Sequence, residues 1–220
     1  MVSEMDRGAE RLLVDAILAA RPNDGILGEE GTDTVGTSGV QWIIDPLDGT
    51  TNYLYGQPQW SVSIGVEIDG VASVGVVDAP MLRETYSAAV GDGAFCNGHP
   101  IRVSRCESLA SALIATGFGY DAGLREWQGG IVHQLLPGIR DIRRAGSAAL
   151  DLCFVACGRV DAYYERGCHA WALAGGSVIV HEAGGLATGL IHADPSRHLV
   201  IAAGVELHSL LRSRLQDLVE

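Results

Sequence analysis

The sequence lacks the features that mark several large protein classes. Its cysteines number five, an odd count without a CxxC pair, which argues against a disulfide framework and a structural zinc site. Cys153 and Cys157 lie one helical turn apart in an apolar segment, as buried thiols do. The start, MVSEMDRGAE, is unlike a signal peptide, and no apolar run reaches the roughly 18 residues that span a bilayer. These absences predict a soluble cytoplasmic protein with no membrane partner.

Basic residues are also scarce. The chain has 15 Lys and Arg against 27 Asp and Glu, and its formal net charge is −12. Without a basic stripe to neutralise phosphates, we expect no nucleic-acid binding. The acidity does not exclude a small phosphorylated ligand, because a bound divalent cation can invert the local field.

The first half of the chain predicts a mainly antiparallel sheet with one helix against it. SEMDRGAERLLVDAILAA has helical spacing, with Ser3 as a possible N-cap, and the following RPNDGILGEEGTDTVGTSG is predicted to be a loop. VQWIID is typical of a buried strand, and WSVSIGVEIDGVASVGVVDAP predicts a hairpin that turns at Asp69-Gly70. RETYSAAVGDGAFCNG predicts two more strands around Gly-Asp-Gly.

From about residue 108 the pattern alternates between strands and helices. ALIATGF, DAYYE and HLVIAAG favour strands, whereas SAALDLCFVACG, AWALAGGSVIVHEAGG and ELHSLLRSRLQDLV favour helices. Such alternation suggests a layered α/β lobe. We therefore expect a single domain over residues 1–220, arranged as an αβαβα sandwich. An antiparallel lobe would cover about residues 1–107, and a smaller mixed α/β lobe about residues 108–220.

The stretch WIIDPLDGTTNY, residues 42–53, carries the clearest chemical signal. It places Asp45 and Asp48 after an apolar strand, and the Pro46 turn would let both carboxylates point to one side of the strand end. Oxygen ligands suit Mg²⁺, and a helix opened by TTN would offer free N–H groups to an anion. The competing interpretation is an ordinary Asp-rich turn closed by Gly49.

Several segments together resemble inositol monophosphatases, members of the Mg²⁺-dependent, lithium-sensitive phosphatase superfamily that includes fructose-1,6-bisphosphatases. The resemblance extends from about residue 3 to residue 204. It implies a phosphomonoesterase that hydrolyses inositol monophosphate, or a related polyol phosphate, by direct attack of a metal-activated water, and a homodimer. The segments, in chain order, are GEE (28–30), WIIDPLDGTTNY (42–53), GSAALDLC (146–153), DAYYE (161–165) and AWALAGG…EAGG (170–185).

The resemblance also implies a set of metal ligands. Glu29, Asp45 and the carbonyl of Leu47 would hold a first Mg²⁺. Asp45 would bridge to a second Mg²⁺ that Asp48 also holds. Two or three Mg²⁺ ions are expected, with Mn²⁺ as a possible substitute. Two cations roughly 3.5–4 Å apart can stabilise both the attacking and the leaving oxygen of an in-line displacement.

Catalytic roles follow from the same resemblance. Glu29 and Thr50 would orient the attacking water, and Asp6 would support Thr50 from the first helix. Asp48 would contact the substrate, and Gly49 and Thr50 would bind its phosphate through backbone N–H groups. No Ser, Cys or Asp is placed as an activated nucleophile, so no covalent phospho-enzyme is expected.

The substrate contacts implied by the resemblance lie in the second half of the chain. Gly146, Ser147 and Ala148 match positions that hold the inositol ring, as does Glu165. A carboxylate at Glu165 can accept hydrogen bonds from two neighbouring hydroxyl groups. These residues favour a polyol phosphate. The same chemistry on histidinol phosphate, a sugar bisphosphate or NADP stays open as an alternative.

The chain departs from the family at the last motif. There, Trp171 is followed by Ala172, whereas the family has an aspartate that binds the second metal and contacts the substrate. Ala172 could be an introduced substitution, a natural loss in a catalytically weak or inactive binding or regulatory homologue, or a change that another carboxylate or water offsets. Because the methyl group of Ala172 cannot bind a cation, we expect an impaired second metal site. Family members also usually carry a further N-terminal helix before SEMDRGAE.

Overall fold

The computed structural model describes residues 4–219, so the possible N-cap Ser3 lies outside the described residues. Within this range no helix has the length and apolar character needed to cross a membrane. The five cysteines are free thiols, with Cys153 buried and Cys157 half-buried. The six α-helices are α1 (Glu4–Ala20), α2 (Thr50–Leu54), α3 (Ala122–Leu135), α4 (Ala148–Ala156), α5 (Ala170–Glu182) and α6 (Val205–Val219).

The first sheet has eight strands in the order β2-β1-β3-β4-β5-β6-β7-β8. Adjacent strands in this sheet are antiparallel, except that β1 and β3 pair in parallel. The predicted loop after the first helix was therefore wrong in part, because GILG forms β1 and Asp33–Thr34 forms β2. The strands are β1 (Gly25–Gly28), β2 (Asp33–Thr34), β3 (Val40–Asp48), β4 (Ser61–Ile68), β5 (Val71–Ala79), β6 (Glu84–Ala89), β7 (Gly93–Cys96) and β8 (His99–Pro100).

Two local predictions in this sheet have different outcomes. The hairpin at Asp69-Gly70 is confirmed, and both residues are left-handed, with φ of 52° and 77°, as its tight turn requires. The predicted break at Pro46 is wrong, because β3 continues to Asp48. The pairing register shifts between Asp45 and Asp48. Such a bulge leaves a residue out of the hydrogen-bond ladder, which suits a proline without an N–H.

The second sheet has five strands in the order β10-β9-β11-β13-β12. Strands β10, β9 and β11 are parallel, and β13 is antiparallel to both its neighbours. The sequence patterns identified β9, β11 and β13 but not β10, β12 or the helix α3. The strands are β9 (Leu113–Thr116), β10 (Asp141–Arg143), β11 (Ala162–Glu165), β12 (Gly185–Thr188) and β13 (Val200–Gly204).

Helices α4 and α5 lie between the two sheets, where they share the larger apolar core with residues of both. Gly65 of β4 and Gly75 of β5 leave no room for a Cβ against α5, so the helix packs directly on the strand backbones. Helices α3 and α6 cover the other face of the second sheet in a separate apolar cluster, and α1 packs on β3. The layered fold with two sheets and six helices confirms the predicted class. It brings the ends of β3 and β11 and the start of α4 together.

Candidate active site

The parallel pairing of β1 with β3 places Glu29 beside Asp45. Gly28 is in register with Ile44, and the Glu29 N–H donates to the Ile44 carbonyl at 3.2 Å. Glu29 therefore leaves β1 next to Asp45, which is 3% exposed and accepts a hydrogen bond from the Leu47 N–H at 3.1 Å. Glu29 and Asp45, which are 16 residues apart in the sequence, thus lie at the same end of the paired strands.

The turn that carries Glu29 is anchored from α1. The buried Glu10 carboxylate accepts hydrogen bonds from the Glu30 N–H at 2.7 Å, the Thr32 N–H at 3.1 Å and the Thr32 hydroxyl at 2.7 Å. A carboxylate that accepts several donors holds a turn in one conformation. The sequence prediction missed Glu10, which is one of the two buried residues of α1 together with Asp6.

The electrostatics of this carboxyl pair suit a hard cation. Burial raises the pKa of Glu29, and hydrogen bonding to Asp45 and Trp171 opposes that rise. Burial raises the pKa of Asp45 well above its usual value, and the charges of Asp48 and Glu29 add to the effect. A buried carboxylate such as Asp45, with other acids close by, is costly unless it is protonated or binds a cation.

Thr50 begins α2 and contacts both β3 and α1. Its hydroxyl lies 3.2 Å from Asp6 Oδ1 and 3.2 Å from the Leu47 carbonyl, and it can donate its single hydrogen to either acceptor. Asp6 is 1% exposed. Gly49 precedes the helix at φ 95°, a left-handed conformation that directs the chain from the strand into the helix. The structure thus brings Asp6, Leu47 and Thr50 together.

Asp48 points instead towards the start of α4. Its Oδ2 accepts hydrogen bonds from the Ser147 hydroxyl at 2.5 Å and the Ala149 N–H at 2.7 Å. Burial raises the pKa of Asp48 to about 7. These two hydrogen bonds oppose the rise, and the charges of Glu165 and Glu29 add to it. One oxygen of Asp48 is therefore engaged in joining the two halves of the chain.

The position of Ala172 offers no ligand to a second cation. Ala172 lies in the first turn of α5 and is 8% exposed, and its methyl group cannot coordinate an ion. Across residues 4–219, no group of three or more His, Cys, Asp or Glu side chains is arranged to hold a metal. Glu29, Asp45 and the Leu47 carbonyl fit Mg²⁺, which typically uses one or two carboxylates and several waters. Asp48 with Ala172 fits a second ion poorly.

Glu165 ends β11 and is held in place on two sides. Its Oε2 accepts a hydrogen bond from the buried Tyr163 hydroxyl at 2.8 Å. Gly117 lies directly against it, and a Cβ on that glycine would overlap the Glu165 carboxyl group. Burial raises the pKa of Glu165, while the Tyr163 hydrogen bond and the Arg144 charge lower it. The sequence patterns missed both Tyr163 and Gly117 as supports of this carboxylate.

The segment from Gly146 to Ala148 forms the start of α4, beside Asp48. Gly146 is left-handed, with φ 97°, and Ser147 caps the helix by accepting a hydrogen bond from the Leu150 N–H at 3.3 Å. The Asn52 amide of α2 donates to the Ala145 carbonyl at 2.8 Å. These contacts link the first turn of α4 to the strand end that carries the acidic residues.

Asp151 is a buried acid that sequence reasoning also missed. It is 1% exposed, and neither carboxyl oxygen has a hydrogen-bond partner within residues 4–219. Burial raises its pKa well above the usual value, and the charges of Glu165 and Asp48 add to that rise. Its spacing of four residues from Ser147 places it on the same face of α4, which is the available sequence signal.

Comparison with known proteins shows relatives across the whole chain. The inositol monophosphatase family model matches residues 1–220. The chain is 45% identical over 192 residues to an inositol-1-monophosphatase SuhB of Mycobacterium tuberculosis, covering 83% of this chain and 66% of that protein. It is 43% identical over 187 residues to a Nus factor SuhB of Pasteurella multocida, covering 84% and 70%. The chain thus spans just under two thirds of its mycobacterial relative.

Solved structures agree with this match. The extragenic suppressor protein SuhB of Bartonella henselae superposes with a TM-score of 0.92 at 36% identity, covering 97% of this chain and 84% of that one. Inositol monophosphatase from Anabaena gives 0.88 at 36% identity, covering 96% and 86%. Staphylococcus aureus SaIMPase-II, solved with inositol monophosphate bound, gives 0.83 at 32% identity, covering 94% and 82%. The protein therefore belongs to the inositol monophosphatase family.

Proposed function

We propose that the protein is a divalent-cation-dependent phosphomonoesterase whose substrate is inositol monophosphate or a related polyol phosphate. The observation that carries this proposal is the placement of the exposed Glu29 beside the buried Asp45, next to the Thr50–Asp6 contact. A buried carboxyl group with a second acid beside it is costly to ionise unless a cation offsets the charge, and the exposed side of Glu29 leaves such a cation open to water and substrate. Family membership supports the same reaction class.

In this proposal Glu29, Asp45 and the carbonyl of Leu47 hold the first cation, Mg²⁺ or Mn²⁺. When bound, the cation would supply a Lewis acid to the phosphate and lower the pKa of a water. Asp45 and Asp48 would offer two carboxylates to a second ion. A third carboxylate is missing, because position 172 is an alanine. We expect that second position to be weak.

The protein groups around this position would orient the nucleophile and the phosphate. If the Thr50 hydroxyl donates its hydrogen to Asp6, its lone pairs are free to accept a hydrogen bond from a water that Glu29 also accepts from. That water would then be aligned for direct attack. Backbone N–H groups of Gly49 and Thr50 would bind the phosphate oxygens, with Asp48 as a further contact.

Substrate selection is proposed to lie in the second half of the chain. Glu165 would accept hydrogen bonds from two neighbouring hydroxyls of a polyol, and Gly146, Ser147 and Ala148 would line the ring. Residues of about 1–107 would then bind metal and phosphate, and those of about 108–220 the alcohol. SaIMPase-II has also been solved with 2′AMP, so a nucleotide 2′-phosphate such as that of NADP is a second substrate class, beside histidinol phosphate and sugar bisphosphates.

The test is Mg²⁺-dependent phosphate release from inositol 1-phosphate by the natural chain and by Ala172→Asp. We expect the substitution to raise the rate about 10–100-fold, since a lost coordinating or supporting group costs at least that much. Ala170→Asp is the matched control, because it adds the same charge at an exposed position of the same helical turn. The proposal would be overturned if neither protein released phosphate from inositol 1-phosphate, 2′AMP, NADP, histidinol phosphate or a sugar bisphosphate.

A second candidate function is binding or regulation without useful turnover. Ala172 favours it, since its methyl group removes a coordinating position, and some relatives are named Nus factor SuhB. Inactivity of both the natural chain and Ala172→Asp would support this alternative. The family resemblance also carries the proposals of lithium inhibition and a homodimer, which assays in LiCl and sedimentation velocity would test.

A further inference from the structure

We propose that a cavity in the second half of the protein, away from the acidic cluster, binds a small anion that carries a flat apolar ring. The cavity has a volume of about 310 Å³, enough for a compact aromatic acid. We call it the rear cavity. Its walls come from α3, from the turn that follows β11 and from the segment that follows β12, and they include Trp127, Arg166, Leu190, His192, His198 and Leu199.

The rear cavity lies on the face of the second sheet opposite Glu165. Tyr163 packs with the core that holds α4 and α5, whereas Tyr164 packs with the cluster formed by α3 and α6. Side chains alternate between the two faces of a strand, so Glu165 points with Tyr163. Arg166, which follows directly, lines the rear cavity together with Trp127 of α3. The two sites are therefore adjacent in sequence but separated by the sheet.

Arg166 supplies the reason to expect an anion. Its guanidinium carbon lies 4.7 Å from the centre of the Trp127 ring. Among residues 4–219 the guanidinium forms no ion pair and donates no hydrogen bond. A guanidinium has five N–H donors in a planar fork that matches a carboxylate or a phosphate. The contact with the Trp127 ring restricts the guanidinium without using its N–H donors.

The composition of the walls gives the charge and shape of the ligand. Among residues 4–219, the ionisable groups that line the rear cavity are Arg166, His192 and His198, and no Asp or Glu of that range lines it, although the chain has a net charge of −12. Leu190 and Leu199 add apolar surface. A cavity with one unpaired cation and apolar walls favours a molecule with one anionic group and a flat apolar body.

Hydrogen bonds hold the cavity walls in place. The buried Gln128 amide donates to the Arg166 carbonyl at 2.9 Å, and its oxygen accepts from the Gly119 N–H at 2.9 Å. The Gly167 N–H donates to the Arg197 carbonyl at 2.9 Å, and the Arg212 side chain donates to the Leu190 carbonyl at 2.8 Å. The walls are thus linked across three separate segments of the chain, as a preformed binding site requires.

Calorimetric titration with two matched probes tests the proposal. The probes are 2-naphthoate, which carries a carboxylate, and 2-naphthamide, which has the same ring without the charge. We expect the natural chain to bind 2-naphthoate about tenfold more tightly than 2-naphthamide at low salt, which corresponds to one charge-assisted interaction. Titrations in EDTA keep divalent cations away from the acidic residues, so the outcome is independent of phosphatase activity.

Two substitutions localise the effect. Arg166→Gln should remove most of the preference for 2-naphthoate and leave 2-naphthamide binding nearly unchanged. Arg143→Gln is the control, because Arg143 is exposed in the same sheet and already pairs with Asp141 at 2.7 Å. Trp127→Leu should weaken both probes. Equal binding of the two probes by the natural chain, or an unchanged preference in Arg166→Gln, would overturn the proposal.

Discussion

The two sides of the acidic cluster differ in how they are built. On one side, Glu29 and Asp45 lie close because β1 and β3 pair in parallel, and the Leu47 N–H donates a hydrogen bond to Asp45. On the other side, Asp48 is hydrogen-bonded to α4, and Ala172 of α5 contributes only a methyl group. The proposed first cation position uses residues from the first fifty positions of the chain, whereas the proposed second position would depend on a helix far along the sequence. A single substitution in that helix can therefore impair one position and leave the other intact.

The largest effect is expected at the residue that serves both sides. Asp45→Asn should reduce Mg²⁺-dependent phosphate release at least about 100-fold, because it removes a charge from both proposed cation positions. Since we expect Ala172 to lower the starting activity, the rates are compared in the natural chain and in Ala172→Asp. Asp33→Asn changes an exposed acid on a neighbouring strand and should leave the rate unchanged. Retained activity in Asp45→Asn would contradict the ligand assignment.

A smaller effect is expected on substrate preference. Tyr163→Phe removes the hydroxyl that donates to Glu165, and we expect about a tenfold rise in KM for inositol 1-phosphate. The KM for cyclohexyl phosphate, which lacks ring hydroxyls, should change little, and kcat should be nearly the same for both. Gly117→Ala, which crowds the same carboxylate, should shift the preference in the same direction.

Tyr164→Phe is the matched control on the same strand. The Tyr164 hydroxyl is buried without a hydrogen-bond partner and lies on the opposite face of the sheet. Its removal should leave both KM values unchanged. If Tyr163→Phe affects the two substrates equally, Tyr163 does not act through the substrate hydroxyls.

The smallest effect is a change in how stability depends on pH. The pKa of Asp48 is raised to about 7 in the folded protein, so between about pH 4 and pH 7 the folded state holds a proton that the unfolded state has released. In EDTA, this group therefore makes the protein less stable as the pH rises through that range. Asp48→Asn should flatten the dependence, because Asn stays neutral and can still accept from Ser147 and Ala149.

Urea unfolding at pH 5 and pH 7.5 measures this difference. We expect the loss of unfolding free energy between the two pH values to be smaller in Asp48→Asn than in the natural chain. Asp33→Asn again serves as the exposed control. A pH dependence that is identical in all three proteins would show that Asp48 is not desolvated as the structure indicates.

Local signals in the sequence predicted much of the fold. The Asp69-Gly70 hairpin follows from two residues that tolerate left-handed conformations, and α4 and α5 follow from apolar runs that end at glycine. Strand β1 was missed because its four residues lie among turn-forming residues and gain their stability from the non-local pairing with β3. The extension of β3 through Pro46 was missed for a similar reason, since a bulge depends on the partner strand.

Part of the candidate site could also be inferred from the sequence. Asp45, Asp48 and Thr50 stand together in one short stretch, so their proximity could be inferred from sequence. The residues that hold Glu165 could not be inferred in this way, because they come from different parts of the chain. Gly117 leaves room for the carboxyl group, and the Tyr163 hydroxyl donates a hydrogen bond to it. Their roles depend on the register of β9 with β11.

Counting bound cations tests the difference between the two sides most directly. Mn²⁺ is titrated into the metal-free natural chain and into Ala172→Asp, and free Mn²⁺ is followed by electron paramagnetic resonance. We expect the natural chain to bind one Mn²⁺ tightly and a second much more weakly. Ala172→Asp should tighten the second at least about tenfold and leave the first unchanged. Two equally tight ions in the natural chain, or identical titrations of both proteins, would contradict the account.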